Sequence, residues 1–234
     1  MAYNFQFGWL TVYWERLLDG AFNTMLLTLI SCIAGSLIGI VVGLCRQRGG
    51  LLLRTFGAIY VEAIRNTPLL VQAFLIYLGL ASLGWRMDPI PAAMLALTIN
   101  CGAYSAEIFR AGFASIKLAQ HEAAEGLALS RTQSFFYVIL PQALRNVWVP
   151  LTGQFVLILL ATSIVSQISA EEISAAASQI QSETFRSFEV YMVLAVAYLI
   201  LSILLKLLLQ GIGNIAFRDR APRISLTSIS QGGK

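Results

Sequence analysis

Three polar side chains share one face of a predicted helix that is otherwise apolar. Asn100, Tyr104 and Glu107 follow the i, i+4, i+7 spacing that places residues on one side of a helix. Polar groups inside a bilayer are costly unless they face the protein interior or a water-filled path, so they mark routes for polar solutes. The chemistry indicated is hydrogen bonding to a solute, with Gln72 in the preceding apolar run as a further donor and acceptor.

The residue patterns of a catalytic, metal or nucleotide site do not occur. His121 is the only histidine, and it lies in a charged stretch. Cys32, Cys45 and Cys101 are an odd number with no metal-ligand or disulfide spacing. Gly232 to Lys234 end the chain with no helix to follow, so they are not a G-x-x-x-x-G-K-[ST] phosphate-binding loop. The sequence predicts that this chain is not an enzyme and binds no metal or cofactor.

The composition predicts a membrane protein. Of 234 residues, 57% are hydrophobic and 12% are charged, whereas soluble domains carry roughly a quarter charged residues. The net charge of +4 comes from basic residues scattered at the ends of apolar runs, without a patch that could track nucleic-acid phosphates. We expect an all-α polytopic protein that forms a single transmembrane domain over residues 1–234, contacts membrane lipid and binds no nucleic acid.

Apolar runs between charged residues predict five transmembrane helices. Their approximate ranges are 20–45, 59–85, 89–110, 146–170 and 191–217. Residues 1–19 lack a signal-peptide pattern and predict an amphipathic segment on the membrane surface, and the polar tail 218–234 is predicted to be disordered. In the first span a small residue recurs every fourth position from Ser31 to Gly43, which allows a second helix to pack closely.

The distribution of basic residues predicts an outside N-terminus and a cytoplasmic C-terminus. With that orientation eleven Lys and Arg residues lie on the inner side and three on the outer side. The inner residues are Arg46, Arg48, Arg54, Arg110, Lys117, Arg131, Arg145, Arg218, Arg220, Arg223 and Lys234, and the outer residues are Arg16, Arg86 and Arg186. The acidic outer stretch 169–189 could meet a soluble binding protein or be a solvated loop with a short surface helix, and both interpretations stay open.

Residues 117–145 form a water-facing stretch between the third and fourth spans. Their charges are too costly for hydrocarbon, and the apolar part, 135–144, is about half as long as a spanning helix needs to be. Small side chains around Ala123 predict a short helical turn that a partner's backbone can approach closely. Pro141 is expected to bend or stop the following helix. The alternative is an interfacial amphipathic hairpin without a partner.

A resemblance to a known family starts in this stretch. Glu122-Ala123-Ala124 followed by Val138-Ile139-Leu140-Pro141 resembles the EAA loop of the membrane subunits of bacterial ATP-binding-cassette (ABC) importers. In that family the loop is a short coupling helix that docks into a cleft of a separate ATPase subunit. The resemblance implies that docking involves His121, Glu122, Ala123, Ala124, Glu125, Gly126, Ala128 and Arg131. Ala128 departs from the pattern, because glycine is usual there and the glycine of this chain is at 126.

Two further motifs narrow the resemblance. Residues 65–72, RNTPLLVQ, and residues 100–110, NCGAYSAEIFR, are similar to signatures of the polar amino-acid branch of these importers. Residues 162–165, TSIV, are a weaker match to the TSLV motif of that branch, and the charged residue that often precedes the motif is absent here. The resemblance implies a five-helix permease with the type I importer fold in the bacterial inner membrane. It also implies three kinds of partner: an ATPase dimer that binds ATP and Mg, a second permease copy or a sister subunit, and a substrate-binding protein.

Depth along straight helices predicts where a solute would be held. Counted from Trp85 at about 1.5 Å per residue, Gln72 lies roughly 20 Å deep and Arg65 roughly 30 Å, and Asn100 lies roughly 17 Å below Pro89. We therefore expect a midplane substrate pathway, helped by backbone groups that a proline leaves unpaired, and an inner gate. The pathway residues are Gln72, Asn100, Tyr104 and Thr162, next to Pro68. The gate residues are Glu62, Arg65 and Glu107.

Several alternatives remain open. The charges at 62–65 and 107–110 could be only interfacial ion pairs, and Asn100 could make only a helix–helix hydrogen bond. A sister subunit could carry the substrate site instead. The chain could also be an ion-coupled secondary transporter or a non-transporting anchor, although its halves show no inverted repeat and five spans do not divide evenly.

Overall fold

The computed structural model describes residues 5–217, and these form eight helices. In chain order they are α1 (Leu10–Arg48), α2 (Leu51–Arg65), α3 (Leu69–Ser82), α4 (Pro89–Ala114), α5 (Leu118–Gly126), α6 (Arg131–Ile168), α7 (Ile173–Thr184) and α8 (Ser187–Ala216). The predicted disordered tail 218–234 and residues 1–4 lie outside the described residues.

Four of these helices, α1, α4, α6 and α8, are long and apolar enough to cross a membrane. Helices α2 and α3 pass the same test only as a pair, bent by 105° at a short break. α1 and α4 run in the same direction, because Ser31 donates to the Met94 carbonyl and Gly43, further along α1, lies beside Arg110, further along α4. The bent pair must therefore carry the chain back between them. This agrees with the predicted all-α fold of five crossings.

The stripe of small residues on α1 packs against α4, as predicted. A Cβ atom added to Gly35 would lie 2.6 Å from Cβ of Cys101, and one added to Gly39 would lie 2.6 Å from Cβ of Ser105. Such distances leave no room for a side chain, so the two backbones meet in the core of the bundle.

α1 is longer than the first predicted span. It includes residues 10–19 of the predicted surface segment, and its 39 residues correspond to about 58 Å, which exceeds a hydrocarbon core of about 30 Å. Gly20 does not break the helix but allows a close contact, because a Cβ atom there would lie 2.8 Å from Cα of Ile173 on α7. α7 thus marks one end of the bundle, the α7 end. The opposite end, where α4 leads into α5, is the α5 end.

The second predicted span is not the straight helix assumed above. α2 ends at Arg65, and α3 starts after Pro68, whose own backbone is extended. Proline has no N–H for the helical ladder and disfavours helical backbone in the residue before it, so the helix stops here. Depths counted through residues 66–68 along one straight axis therefore do not hold for Arg65 and Glu62.

The predicted water-facing stretch 117–145 divides into α5, a turn and the first part of α6. Pro141 does not stop α6, contrary to one of the two outcomes expected from the sequence. A π-helical segment, Ser134–Ile139, lies immediately before it, and Pro141 occupies the first turn of the α-helical part that follows. Proline and π-helical segments are both common sites of helix bending, and here the two coincide within one continuous helix.

Candidate functional site

A hydrogen-bonded pair, Asn100 and Gln72, joins α4 to α3 near the middle of the bundle. Nδ2 of Asn100 donates to Oε1 of Gln72 at 3.1 Å. Asn100 lies about 17 Å from Pro89 and about 21 Å from Ala114 along α4. The structure therefore brings together two residues of the predicted substrate pathway and places them at mid-length of a spanning helix.

Gln72 also holds the bend between α2 and α3. Its Nε2 donates to the Ile64 carbonyl at 2.8 Å, the Thr67 carbonyl at 3.0 Å and Oγ1 of Thr67 at 2.9 Å. In an unbroken helix the N–H of residue 68 would bond to Ile64, and Pro68 has no N–H. The predicted unpaired backbone group is thus already satisfied by Gln72, and it is not free to hold a solute in this conformation.

Arg65 lies against Tyr104 on α4. Its Cζ atom is 5.2 Å from the centroid of the Tyr104 ring, which is the geometry of a cation–π contact. Tyr104 is about 22 Å from Pro89 along α4. Arg65 is therefore nearer to mid-depth than the roughly 30 Å of the straight-helix count, because the bend folds the end of α2 toward α4.

Two adjoining cavities open on the face formed by α2, α3, α4 and α6. The Asn100 cavity has a volume of about 500 Å³ and lies between the α2–α3 bend, α4 and α6. The Glu107 cavity, of about 690 Å³, continues toward the α5 end. Both volumes are in the range of small-molecule sites, roughly 300–1,000 Å³. Arg65, Tyr104 and Gln154 line both cavities and so connect them.

Gln154 was missed by the sequence interpretation. It lies on α6, is 8% exposed, and reaches the cavities between apolar neighbours. The signal was available, because a glutamine inside an apolar run of a spanning helix is a candidate functional residue by its cost alone.

The predicted inner gate does not form one cluster. The Glu107 carboxylate accepts hydrogen bonds from Arg46 on α1 and from Arg110, whose Nε lies 2.9 Å away. The Glu62 carboxylate accepts from Nδ2 of Asn66 at 2.9 Å. Glu107 is thus paired with two arginines toward the α5 end, while Arg65 contacts Tyr104, about one turn of α4 nearer the middle of the bundle. Arg46, in the last turn of α1, is the partner of the predicted gate residue Glu107 that sequence reasoning did not identify.

Thr162, the fourth predicted pathway residue, faces a different part of the bundle. It is fully buried, donates to the Leu159 carbonyl at 2.7 Å and lies 3.3 Å from the Tyr198 hydroxyl. That hydroxyl donates to Glu172 at 2.7 Å, and Oε1 of Glu172 caps α7 by accepting from Ala175 N. Thr162 therefore belongs to a buried network that links α6, α7 and α8, while its neighbour Ala161 lines the Asn100 cavity.

α5 is a short, largely exposed helix at the α5 end. Its buried contact is Ala124, whereas Glu122, Ala123, Glu125 and Gly126 are exposed. The remaining predicted coupling residues are a half-buried His121 and the exposed Ala128 and Arg131. The structure thus places the predicted coupling residues on α5, on the turn that follows it and, for Arg131, at the start of α6.

The turn after α5 explains why glycine is usual at position 128. Ala128 has φ +53, in the left-handed region. Leu129 N donates to the Ala124 carbonyl at 3.1 Å and Ala128 N to the Glu125 carbonyl at 2.9 Å. This is the Schellman pattern, in which the residue after the cap is left-handed and usually glycine. The bend therefore forms with alanine, at a conformational cost.

Comparison with known proteins gives a consistent set of relatives. Residues 35–218 match the family described as binding-protein-dependent transport system inner membrane component. The glutamine transport system permease protein GlnP of Escherichia coli (strain K12) is 35% identical over 210 residues, 88% of this chain and 95% of GlnP. The L-cystine transport system permease protein TcyB of Bacillus subtilis (strain 168) is 35% identical over 196 residues, 83% of this chain and 84% of TcyB.

Solved structures agree with these relatives. The crystal structure of an amino acid ABC transporter with histidines matches with a TM-score of 0.82 at 33% identity, over 91% of this chain and 100% of that chain. The inward-facing MetNI methionine ABC transporter matches with a TM-score of 0.72 at 21% identity, over 86% and 96% of the two chains, and supports the fold alone. The predicted type I importer fold is confirmed. The chain belongs to the family of binding-protein-dependent transport system inner membrane components, and it is a permease subunit of an amino-acid ABC importer rather than an enzyme.

Proposed function

We propose that this permease passes a polar amino acid along the Asn100 and Glu107 cavities. The observation that carries the proposal is that Arg65, Tyr104 and Gln154 line both cavities and make one polar route from mid-depth to the α5 end. Relatives that transport glutamine and L-cystine support a polar amino acid as the solute. In this route Asn100 lines the wall at the bend, where Gln72 accepts its hydrogen bond from behind the lining, and Glu107 with its arginines forms the inner boundary.

A second permease subunit, either another copy or a sister, would complete the route. Both cavities open on the surface of this chain, on the face of α2, α3, α4 and α6. Exposed polar groups such as Asn66 and Thr67 on that face would be costly in lipid, so a covering protein surface is expected there. Isolation of the complex from native membranes, with identification of its subunits, distinguishes a homodimer from a heterodimer.

We further propose that α5 docks on the ATPase subunit, which alone binds ATP and Mg, and that the α5 end faces the cytoplasm. The α7 end would then face the substrate-binding protein. The eleven-to-three distribution of basic residues supports this orientation. Single cysteines at Ser178 on α7 and at Ser228, in a chain without native cysteines, should be labelled from opposite sides of the membrane. Labelling of both from outside contradicts the orientation.

The pathway is tested with Gln154→Leu. No hydrogen bond of the α2–α3 bend depends on this side chain, so the variant removes a polar group of the route without releasing the bend. Uptake at limiting substrate should fall severely while assembly and basal ATPase activity persist. Thr152→Val on the same helix, outside the cavity linings, is the matched control and should transport normally. Asn100→Leu should also abolish uptake. Unchanged uptake in both cavity variants would rule out this route.

Docking is tested with Glu122→Lys, a charge reversal on the exposed face of α5. One charge has little effect on folding at an exposed site but can disrupt a docked interface. ATPase stimulation by the loaded binding protein should be lost while the subunit remains folded. The amount of Glu122→Lys subunit recovered from the membrane should equal that of the native subunit, which checks that the charge change itself does not prevent folding. Normal stimulation in Glu122→Lys contradicts the docking role.

A further inference from the structure

The lining of the Asn100 cavity contains a positive charge and no negative one among the described residues. Among the described residues that line it, Arg65 is the charged one, and the polar remainder is neutral. The neutral polar residues are Asn66, Thr67, Asn100, Tyr104 and Gln154. An exposed guanidinium beside a cavity at mid-depth attracts anionic groups strongly, because the surrounding protein and lipid screen charge poorly.

Two neighbouring carboxylates lie outside this lining. The Glu62 carboxylate accepts a hydrogen bond from the neutral amide of Asn66, and the ion pairs among the described residues do not join it to Arg65. Glu107 lines the adjoining cavity, but it is paired with both Arg46 and Arg110. That group of three also sums to a positive charge, so the route remains positive from mid-depth toward the α5 end.

The contact with Tyr104 places Arg65 beside the cavity, with its Cζ atom 5.2 Å from the ring centroid. A guanidinium presents a fork of N–H donors. Forked donors match the two oxygens of a carboxylate. Every free amino acid carries one α-carboxylate, and an acidic side chain adds another. A cationic side chain would meet repulsion from Arg65 and no opposite charge on the described lining.

We propose that the Asn100 cavity accepts amino acids with neutral or acidic side chains, binds a carboxylate of the solute through Arg65, and excludes amino acids with cationic side chains. This inference rests on the proposed transport route. It concerns the charge class of the solute, which is separate from whether the route is used at all.

The test uses the purified permease–ATPase complex without a binding protein, so that selection by the binding protein does not contribute. Binding is measured from the increase in thermal midpoint with glutamine, glutamate, arginine or lysine. Glutamine and glutamate should stabilise the complex at concentrations at least about tenfold lower than arginine and lysine, the order expected for one poorly screened unit charge at a few ångströms.

Three variants separate charge from shape. Gln154→Glu adds a carboxylate of almost the same shape to the lining and should weaken glutamate binding at least about tenfold while allowing arginine to bind. Arg65→Gln should remove the preference between glutamate and arginine. Arg65→Lys keeps the charge and should retain the preference, although its point charge lacks the fork and should bind more weakly.

The outcomes distinguish this inference from the proposed route. If arginine binds the native complex as tightly as glutamine, and Asn100→Leu abolishes both, then the route is right and the charge class is wrong. If Gln154→Glu leaves the order of the four amino acids unchanged, Arg65 does not select the solute. If none of the four stabilises the native complex, or if Asn100→Leu leaves binding unchanged, the site itself is refuted.

Discussion

Gln72→Leu is the substitution whose effect follows most directly from the bend. Leucine has a similar size, but it can neither donate to the three acceptors on Ile64 and Thr67 nor accept the hydrogen bond from Asn100. Thr67 is exposed and can turn to water, so the main losses are the carbonyl of Ile64 and the amide of Asn100. A buried polar group left unpaired costs about 1–3 kcal/mol, and a lost ordinary hydrogen bond costs about 1 kcal/mol.

The expected destabilisation from Gln72→Leu is therefore about 2–4 kcal/mol. For a chain of this length, with about 2–4 °C per kcal/mol, the thermal midpoint should fall by roughly 4–16 °C. The assay is thermal unfolding of the purified complex, followed by a fluorescent thiol probe on the buried cysteines Cys32 and Cys101.

Gln154→Leu provides the matched control for this prediction. It makes the same chemical change at a site of similar burial, 8% exposed against 7% for Gln72, but it leaves every hydrogen bond of the bend in place. Its midpoint should change little. If Gln72→Leu and Gln154→Leu shift the midpoint equally, the amide of Gln72 does not hold the bend, and the physical account of the broken helix is refuted.

Three further predictions concern packing, backbone conformation and the buried network. Gly39→Ala should lower the thermal midpoint by overpacking, with a cost of about 1–3 kcal/mol. Gly79→Ala should leave the midpoint unchanged, because a Cβ atom added there meets nothing within 4 Å. Equal effects would contradict the close contact of α1 with α4. Ala128→Gly should preserve coupled ATPase activity and raise the midpoint, since a left-handed non-glycine residue costs about 1–3 kcal/mol; a lower midpoint would argue against the Schellman turn. Tyr198→Phe removes the 2.7 Å hydrogen bond to buried Glu172. The free energy of unfolding, measured with urea or heat, should fall by about 1–3 kcal/mol. An unchanged midpoint would exclude a stabilising role for this network.

Much of the architecture was predictable because it depends on local sequence. The number of crossings, the exposed helix α5 and the stripe from Ser31 to Gly43 follow from hydrophobicity, charge and residue size summed along one segment. The similar depth of Gln72 and Asn100 was also predictable. The depth of Gln72 was counted from Trp85, and the break at residues 66–68 does not lie between these two residues.

The tertiary structure decided which residues meet and what the polar groups bind. Pro68 indicated a broken hydrogen-bond ladder, but the direction of the bend depends on Gln72, which pairs the freed Ile64 carbonyl, and on Tyr104, against which Arg65 lies. Thr162 and Ala161 are adjacent in sequence, yet only Ala161 faces a cavity, because the rotation of α6 is set by packing against α4 and α8. Hydropathy along a chain measures whether a segment enters the membrane. It does not determine which side of a helix faces its neighbours or which helices those neighbours are. Both depend on contacts between residues distant in sequence, such as Arg46 with Glu107.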